Sequence, residues 1–179
     1  MKTRIQEIKT FQEGQTVYMN LKTCKIISNG LKIKDCTELF RDCQALTSVD
    51  LSKLDTSETT AMESMFDSCG ASLKEFNFNG VYTGKVTNMS FMFENCYGIK
   101  TLDLTSFDTT NVTNMESMFF SCTDLTTLDL SSFDFSNVSD SSNMFKNIPA
   151  NCLIKVKDQT AKNFVLSARS DLTNVQIKS

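Results

Sequence analysis

The chain of 179 residues contains no histidine, no tryptophan and a single proline. Without histidine, the Ser-His-Asp triad, the Cys-His dyad and every His-ligated metal site are excluded, together with the usual general base at neutral pH. No apolar run approaches the roughly 18 residues of a membrane-spanning helix. The opening residues, Met-Lys-Thr-Arg-Ile-Gln-Glu, carry charge where a signal peptide needs an apolar stretch, which predicts either an intracellular protein or a piece of a longer one. Seven cysteines are present. With no histidine they cannot form mixed Cys/His zinc sites, and an odd number cannot all pair internally.

What is present is unevenly distributed. Residues 1–35 carry seven Lys/Arg and three Asp/Glu, residues 36–148 carry six and sixteen, and residues 149–179 carry five and two. The formal net charge of -3 therefore hides an acidic body between mildly basic ends. Such a body repels phosphate backbones, so nucleic acid is not expected as a partner.

The acidic body is repetitive. Leu39-Phe40-Arg-Asp-Cys43 recurs as Met65-Phe66-Asp-Ser-Cys69, Met92-Phe93-Glu-Asn-Cys96, Met118-Phe119-Phe-Ser-Cys122 and Met144-Phe145-Lys-Asn-Ile148. The Phe positions advance by 26, 27, 26 and 26 residues, which marks a stacked-repeat architecture. Leu46, Ile99 and Leu125 follow their Cys by three residues, but Leu73 follows Cys69 by four, so the extra residue lies within Gly70-Ala71-Ser72. Each unit holds an alternating segment, such as Leu102-Asp-Leu104 or Leu128-Asp-Leu130, which predicts a strand with apolar side chains inward and Asp or Asn outward. The period then changes to three and four at Val112, Met115, Met118-Phe119 and Cys122, which predicts a helical face about two turns long. Thr60-Ala-Met-Glu63 and Thr113-Asn-Met-Glu116 have the form of capping boxes. A unit this small lacks a core of its own, so neighbouring units must stack strand beside strand.

The combination of a segment with L-x-x-L-x-L spacing and a following Cys-bearing helix is the leucine-rich-repeat pattern in general form. More specifically, Leu125-Thr-Thr-Leu-Asp-Leu-Ser-Ser-Phe-Asp-Phe-Ser-Asn-Val138 and Asn111-Val-Thr-Asn-Met-Glu-Ser-Met-Phe119 resemble the 26-residue repeat of bacterial surface proteins, found in BspA-like and mycoplasma-lipoprotein-type leucine-rich-repeat proteins. The resemblance covers about residues 36–148. It implies an α/β leucine-rich-repeat-like solenoid with one strand and one short helix per unit, a parallel sheet on one face and capped ends. It also implies a secreted or surface-anchored location and a role in adhesion and protein contacts, and it brings no catalytic motif.

The chain reads as one structural domain in three parts: an N-terminal segment and cap at 1–35, the solenoid at 36–148 and a C-terminal cap at 149–179. Leu21-Lys-Thr-Cys-Lys-Ile-Ile27 is a plausible first strand, while residues 1–20 are weakly patterned and are expected to be partly mobile or the remnant of an upstream connection. Ile154 and Val156 fall in strand register, and residues 158–169 form a longer helix with an Asp158 N-cap. Asn174-Val-Gln-Ile177 forms a last strand.

Four cysteines at one phase of the repeat make a column rather than converging on a point, so they are read as buried packing thiols, with disulfides or a metal as the alternatives. Asp50, Asn77, Asp103 and Asp129 form a second column on the open sheet face, with Lys100 and Thr127 as neighbours. A solvated face, a protein-binding face and calcium are its three readings, and the loop spacing of a calcium site is absent. Asp55, Asp108 and Asp134 are placed to make Asx turns. Aromatics that break the repeat are candidate contact anchors: Tyr82, Tyr97, Phe120 and Phe135. The stretch from Asn79 through Gly84 is the first choice for a contact loop. No catalytic, cofactor-binding or metal-ligating residue can be named. The expected function is a non-catalytic module that binds a protein or glycan at a bacterial cell surface without inserting in the membrane. A structural component of a larger particle such as a phage tail, or an intracellular scaffold, is the alternative.

Overall fold

The computed structural model describes residues 6–8, 22–26 and 32–178. The described elements are β1 (Gln6–Ile8), β2 (Thr23–Ile26), β3 (Ser48–Asp50), β4 (Glu75–Asn77), β5 (Thr101–Asp103), β6 (Thr127–Leu130), β7 (Leu153–Val156), α1 (Gln159–Ala168) and β8 (Val175–Ile177). Each strand pairs in parallel with the one before it in its sheet. The inward residues line up as Cys24, Val49 and Phe76 in the first sheet and as Leu102, Leu128, Ile154 and Val175 in the second. The chain is a repeat solenoid of parallel strands, as the periodicity predicts. The first strand expected at 21–27 is β2. Residues 6–8, within the weakly patterned start, also pair with it, while the rest of 1–20, expected to be partly mobile or the remnant of an upstream connection, lies outside the described residues.

The second arc of each unit is not the expected helix. Along residues 36–43, Leu39, Arg41 and Cys43 donate their N–H groups to the carbonyl three residues back, forming successive turns. The intervening Glu38, Phe40 and Asp42 donate instead to Glu63, Met65 and Asp67 of the next coil, at 2.9, 2.8 and 2.9 Å. The same alternation recurs at 64–69, 91–96 and 117–122. Every fourth residue takes a left-handed φ near +55°: Glu38 and Asp42, Ser64 and Ser68, Phe91 and Asn95, Ser117 and Ser121, Asn143 and Asn147. The arc is therefore a ribbon of turns that shares half of its backbone donors with its neighbour. The capping boxes dissolve with the helix. The Glu116 N–H is bonded by Asn114 Oδ1 at 2.9 Å rather than by Thr113, and the Thr113 hydroxyl reaches back to the Thr87 carbonyl at 3.2 Å.

Met, Phe and Cys side chains of the ribbon fill the core from one side and the strand residues fill it from the other. Phe40, Phe66, Phe93, Phe119 and Phe145 stack in one column, with centroids 5.3, 5.5, 5.9 and 5.9 Å apart and planes within 15° of parallel. Offset stacking at this spacing is favourable beyond the area that the rings bury.

The 27-residue unit interrupts the sheet but not the ribbon. β4 and β5 belong to different sheets, whereas backbone bridges run without a gap through Asp35, Ala61, Asn88, Asn114 and Asp140. The extra residue falls where the spacing places it. Ala71 comes so close to Gly98 of the next coil that a Cβ there would lie 2.1 Å from the Ala71 carbonyl oxygen. Larger side chains fill the widened core beside the break: Phe76 packs edge-on against Phe66 and Phe93 and stacks on Phe78.

At the C-terminal end, α1 starts on Asp158, whose side chain accepts from Ala161 N–H at 2.8 Å, as the sequence predicts. Arg169 donates to the carbonyls of Phe145 (2.7 Å) and Ile148 (2.6 Å). It thereby takes the place that a cysteine thiol holds at the Phe carbonyls of the inner coils.

Candidate functional site

The thiol column is structural. All seven cysteines are free and buried. Cys69, Cys96 and Cys122 each donate Sγ–H to the carbonyl of the Phe in the preceding coil, Phe40, Phe66 and Phe93, at 3.1 Å. Burial is the first cause that pushes Cys24, Cys36, Cys43 and Cys122 up to about 12 and Cys152 up to about 11. Such thiols stay protonated and unreactive.

The aspartates are also committed to the backbone. Asp55, Asp108 and Asp134 accept the N–H groups of Ser57, Thr110 and Ser136 two residues on, at 3.0, 3.0 and 2.8 Å, which are the expected Asx turns. The sheet-face column does the same: Asp50 accepts from Ser52 (3.0 Å), Asn77 from Asn79 (3.1 Å), Asp103 from Thr105 (2.9 Å) and Asp129 from Ser131 (3.0 Å). A third corner is turned by Asp35, Asn88, Asn114 and Asp140. Hydrogen bonds from Ser57, Thr110 and Ser142 hold the carboxyls of Asp55, Asp108 and Asp140 below the usual range.

A buried threonine column links the coils further. Thr56, Thr83 and Thr109 each donate Oγ1–H to a carbonyl of the next coil (Tyr82, Asp108, Asp134; 2.9, 2.9 and 3.0 Å) and accept the N–H of that same residue (2.7, 2.8 and 2.8 Å). One hydroxyl thus replaces a rung of a backbone ladder.

The candidate sheet face splits into two parts. Asp50 and Asn77 pair across β3 and β4, joined by the Asn77 Nδ2 donation to Asp50 Oδ1 at 3.0 Å. Asp103 and Asp129 pair across β5 and β6, on the far side of the interruption. Asp129 is 9% exposed and faces Lys155 at 3.9 Å and Lys178 at 3.4 Å, so the C-terminal cap neutralises that end of the column. Lys100 is exposed just before β5, and Thr127 lies half-buried in β6 opposite Thr101.

The four aromatic candidates separate as well. Tyr82 and Tyr97 are 47% and 43% exposed. Phe120 is half-buried with Lys146 Nζ 5.6 Å from its ring centre. Phe135 is not a contact anchor: it is 8% exposed and stacks on Phe164 of α1 at 4.2 Å. It occupies the threonine column of the last coil, where the next turn of backbone is replaced by a helix and a ring serves better than a hydroxyl. The loop chosen from Asn79 to Gly84 is also more regular than its composition suggests. Val81 donates to the Phe78 carbonyl just as Leu54, Phe107 and Phe133 do to their counterparts, and it is buried.

Phe91 and Glu94 were not singled out by the sequence reading. They share the outer face of the ribbon with Tyr97, and the available signal was that Phe91 stands where other coils have Glu38, Ser64, Ser117 and Asn143. Elsewhere, the extra residue leaves an open depression of about 380 Å³ beside Thr47, Ala71, Ser72, Lys74 and Glu75. Among the described residues no group of three or more His, Cys, Asp or Glu could hold a metal ion, and no helix is long and apolar enough to cross a membrane.

A protein-family model described as "Mycoplasma protein of unknown function, DUF285" matches residues 15–97 and 34–154. The chain belongs to this family. The matched span contains all five repeats of the Phe column, so the architecture is that of a mycoplasma repeat family. No curated protein and no solved structure matches the chain.

Proposed function

We propose that this family member is a non-catalytic interaction module, a solenoid whose outer surface binds a protein or glycan at a bacterial cell surface in the manner of BspA-like adhesins. The observation that carries this reading is the contrast between repeat and exception. The repeated polar residues are used by the fold itself: the Asx aspartates turn corners within each coil, and the threonine column and the thiols bond coil to coil. Tyr82 and Tyr97 depart from the repeat and stand out in solvent, as residues at a contact surface do. The test has two arms. Antibody labelling and protease shaving of intact cells read the location, and a panel of immobilised host proteins and glycans reads binding by the purified chain. Surface labelling with saturable binding that weakens in the Tyr82→Ala and Tyr97→Ala double variant is the expected result. A chain protected from protease on intact cells overturns the location.

A second reading, a structural component of a larger assembly or scaffold, is favoured by the edge of the last coil. Ser141, Asn143, Phe145 and Asn147 occupy the positions whose N–H groups bond the next coil elsewhere, and among the described residues those four have no acceptor. Concentration-dependent sedimentation of the purified chain tests this: a monomer at all concentrations overturns self-assembly through that edge.

A further inference from the structure

One outer column of the ribbon runs through Arg41, Asp67, Glu94, Phe120 and Lys146, one residue per coil. Its members pair off from both ends. Arg41 Nε lies 3.1 Å from Asp67 Oδ2, and Lys146 lies over the ring of Phe120. Glu94 is left in the middle, and among the described residues its carboxylate has no hydrogen bond or ion pair. Its neighbours along the coil are Phe91 and Tyr97, three residues to either side, and its neighbour across the coil is Phe120. Phe120 follows Glu94 in the column, where the Asn95 N–H bonds the Phe120 carbonyl at 2.9 Å, and the Tyr97 hydroxyl donates to Asn95 Oδ1 at 3.2 Å, so the outer face that carries Glu94 also carries three aromatic residues to which the repeat gives no role.

The backbone adds a second observation. Phe91 has φ +59°, a conformation that Ser and Asn tolerate better than a bulky side chain and that stores strain in the native state. Phe91 remains half-buried on the outer surface, so core burial gives only part of the strain back. Burial, followed by the charge of Asp67, raises the Glu94 carboxyl above the usual carboxylate range; the Arg41 guanidinium opposes the shift and Glu116 adds to it.

We propose that this face, Glu94 with Phe91, Tyr97 and Phe120, docks an arginine side chain presented by a protein partner. This rests on the reading of the chain as an interaction module and names the face and the partner chemistry. A guanidinium combines a bidentate match to one carboxylate with a flat face that stacks on aromatic rings, and the protein already sets a cation of its own over Phe120. The acidic body, six Lys/Arg against sixteen Asp/Glu over residues 36–148, steers a basic segment toward it. The partly exposed face suits a side chain carried on a partner surface, whereas a free small cation needs a pocket that encloses most of it.

The full chain, labelled for NMR, is titrated with a short peptide of alternating glycine and arginine, with its lysine analogue and with its uncharged citrulline analogue. The expected shifts cluster at residues 91–97 and at Phe120, and the arginine peptide binds tightest. Glu94→Gln weakens it about tenfold, the factor that one charge-assisted hydrogen bond supplies at the lower end of its range, and Tyr97→Ala weakens it too. Asp103→Asn removes the same charge from the sheet face and leaves affinity unchanged. Equal weakening by Glu94→Gln and Asp103→Asn, shifts centred on the sheet face, tighter binding of the lysine peptide, or no shifts at all overturns the proposal. The titration needs neither a cell surface nor a natural ligand. Its failure therefore removes the Glu94 assignment alone, whereas protease protection on intact cells removes the surface location alone.

Discussion

Thr109 isolates the part of the stacking that hydrogen bonds supply. Its hydroxyl is buried, donates to the Asp134 carbonyl at 3.0 Å and accepts the Asp134 N–H at 2.8 Å. Thr109→Val keeps the branched shape and removes both bonds. A polar group left unpaired in the interior costs about 1–3 kcal/mol. Asp134 is half-exposed, so water recovers part of each loss and the lower end applies, for a total of about 2 kcal/mol. Thr109→Ser keeps both bonds and loses one methyl group, at about 1 kcal/mol. Urea unfolding followed by circular dichroism measures both, with the slope of the transition checked so that a midpoint shift reports stability. The expected order is wild type, then Ser, then Val. If Val were as stable as Ser or more so, the hydroxyl would be a packing group and the rung it replaces would carry no energy.

Gly98→Ala forces a side chain onto the Ala71 carbonyl and is expected to cost about 1–3 kcal/mol; deleting one residue from 70–72 in the same chain should recover most of that midpoint shift. Phe135→Ala removes a buried ring from Phe164 and should lower stability by about 3 kcal/mol, read by the same unfolding assay, with α1 exchanging its amide protons faster than the inner coils. The buried thiols have folded pKa values raised above the unfolded ones, so the stability they contribute is present below the ordinary thiol value of 9.0 and is lost as pH rises toward about 12; melting temperature should fall above pH 9, and thiol reagents at pH 8 should label the native chain only as fast as it opens. Asp55, Asp108 and Asp140 are shifted the opposite way, so their contribution holds above the unfolded carboxylate range and is lost as pH falls through it, measurable as an acid-side drop in melting temperature. Glu94→Gln removes a carboxylate whose pKa burial raises and should raise the melting temperature modestly at neutral pH.

The repeat, its phase and the position of the extra residue were legible because stacking repeats the same side chain at the same place. A column such as Phe40 to Phe145 needs one spacing along the chain, and the 27-residue step could only be absorbed where a glycine, Gly98, lets the backbone approach. The Asx turns at Asp55, Asp108 and Asp134 were legible for a local reason, since donor and acceptor lie two residues apart. Phe135 was misjudged because its partner, Phe164, comes from a helix 29 residues later, and no local pattern announces that contact. The sheet interruption between β4 and β5 was equally hidden, although Phe76 and Phe78, where other units have Val or Leu, are its trace.

The ribbon was mistaken for a helix because both structures direct residues i, i+3, i+4 and i+7 inward, as Met89, Met92, Phe93 and Cys96 are directed here. Geometry separates the two. A helix with its side chains is about 10 Å across, while paired strands lie about 4.8 Å apart. Repeats that carry a helix on the back must therefore fan open behind the sheet. In this chain the Phe rings of the back arc are only 5.3–5.9 Å apart, so successive coils rise by about the same amount on both sides and a helix has no room. A flatter arc has to dispose of its backbone donors differently, and it does so by sending every second N–H to the next coil. That alternation requires a left-handed residue every fourth position, which explains why Asp42, Ser68, Asn95, Ser121 and Asn147 recur just before the thiol column or its Ile148 equivalent. Polar residues tolerant of positive φ, repeating in phase with an aromatic column, mark a turn ribbon where the apolar spacing by itself cannot.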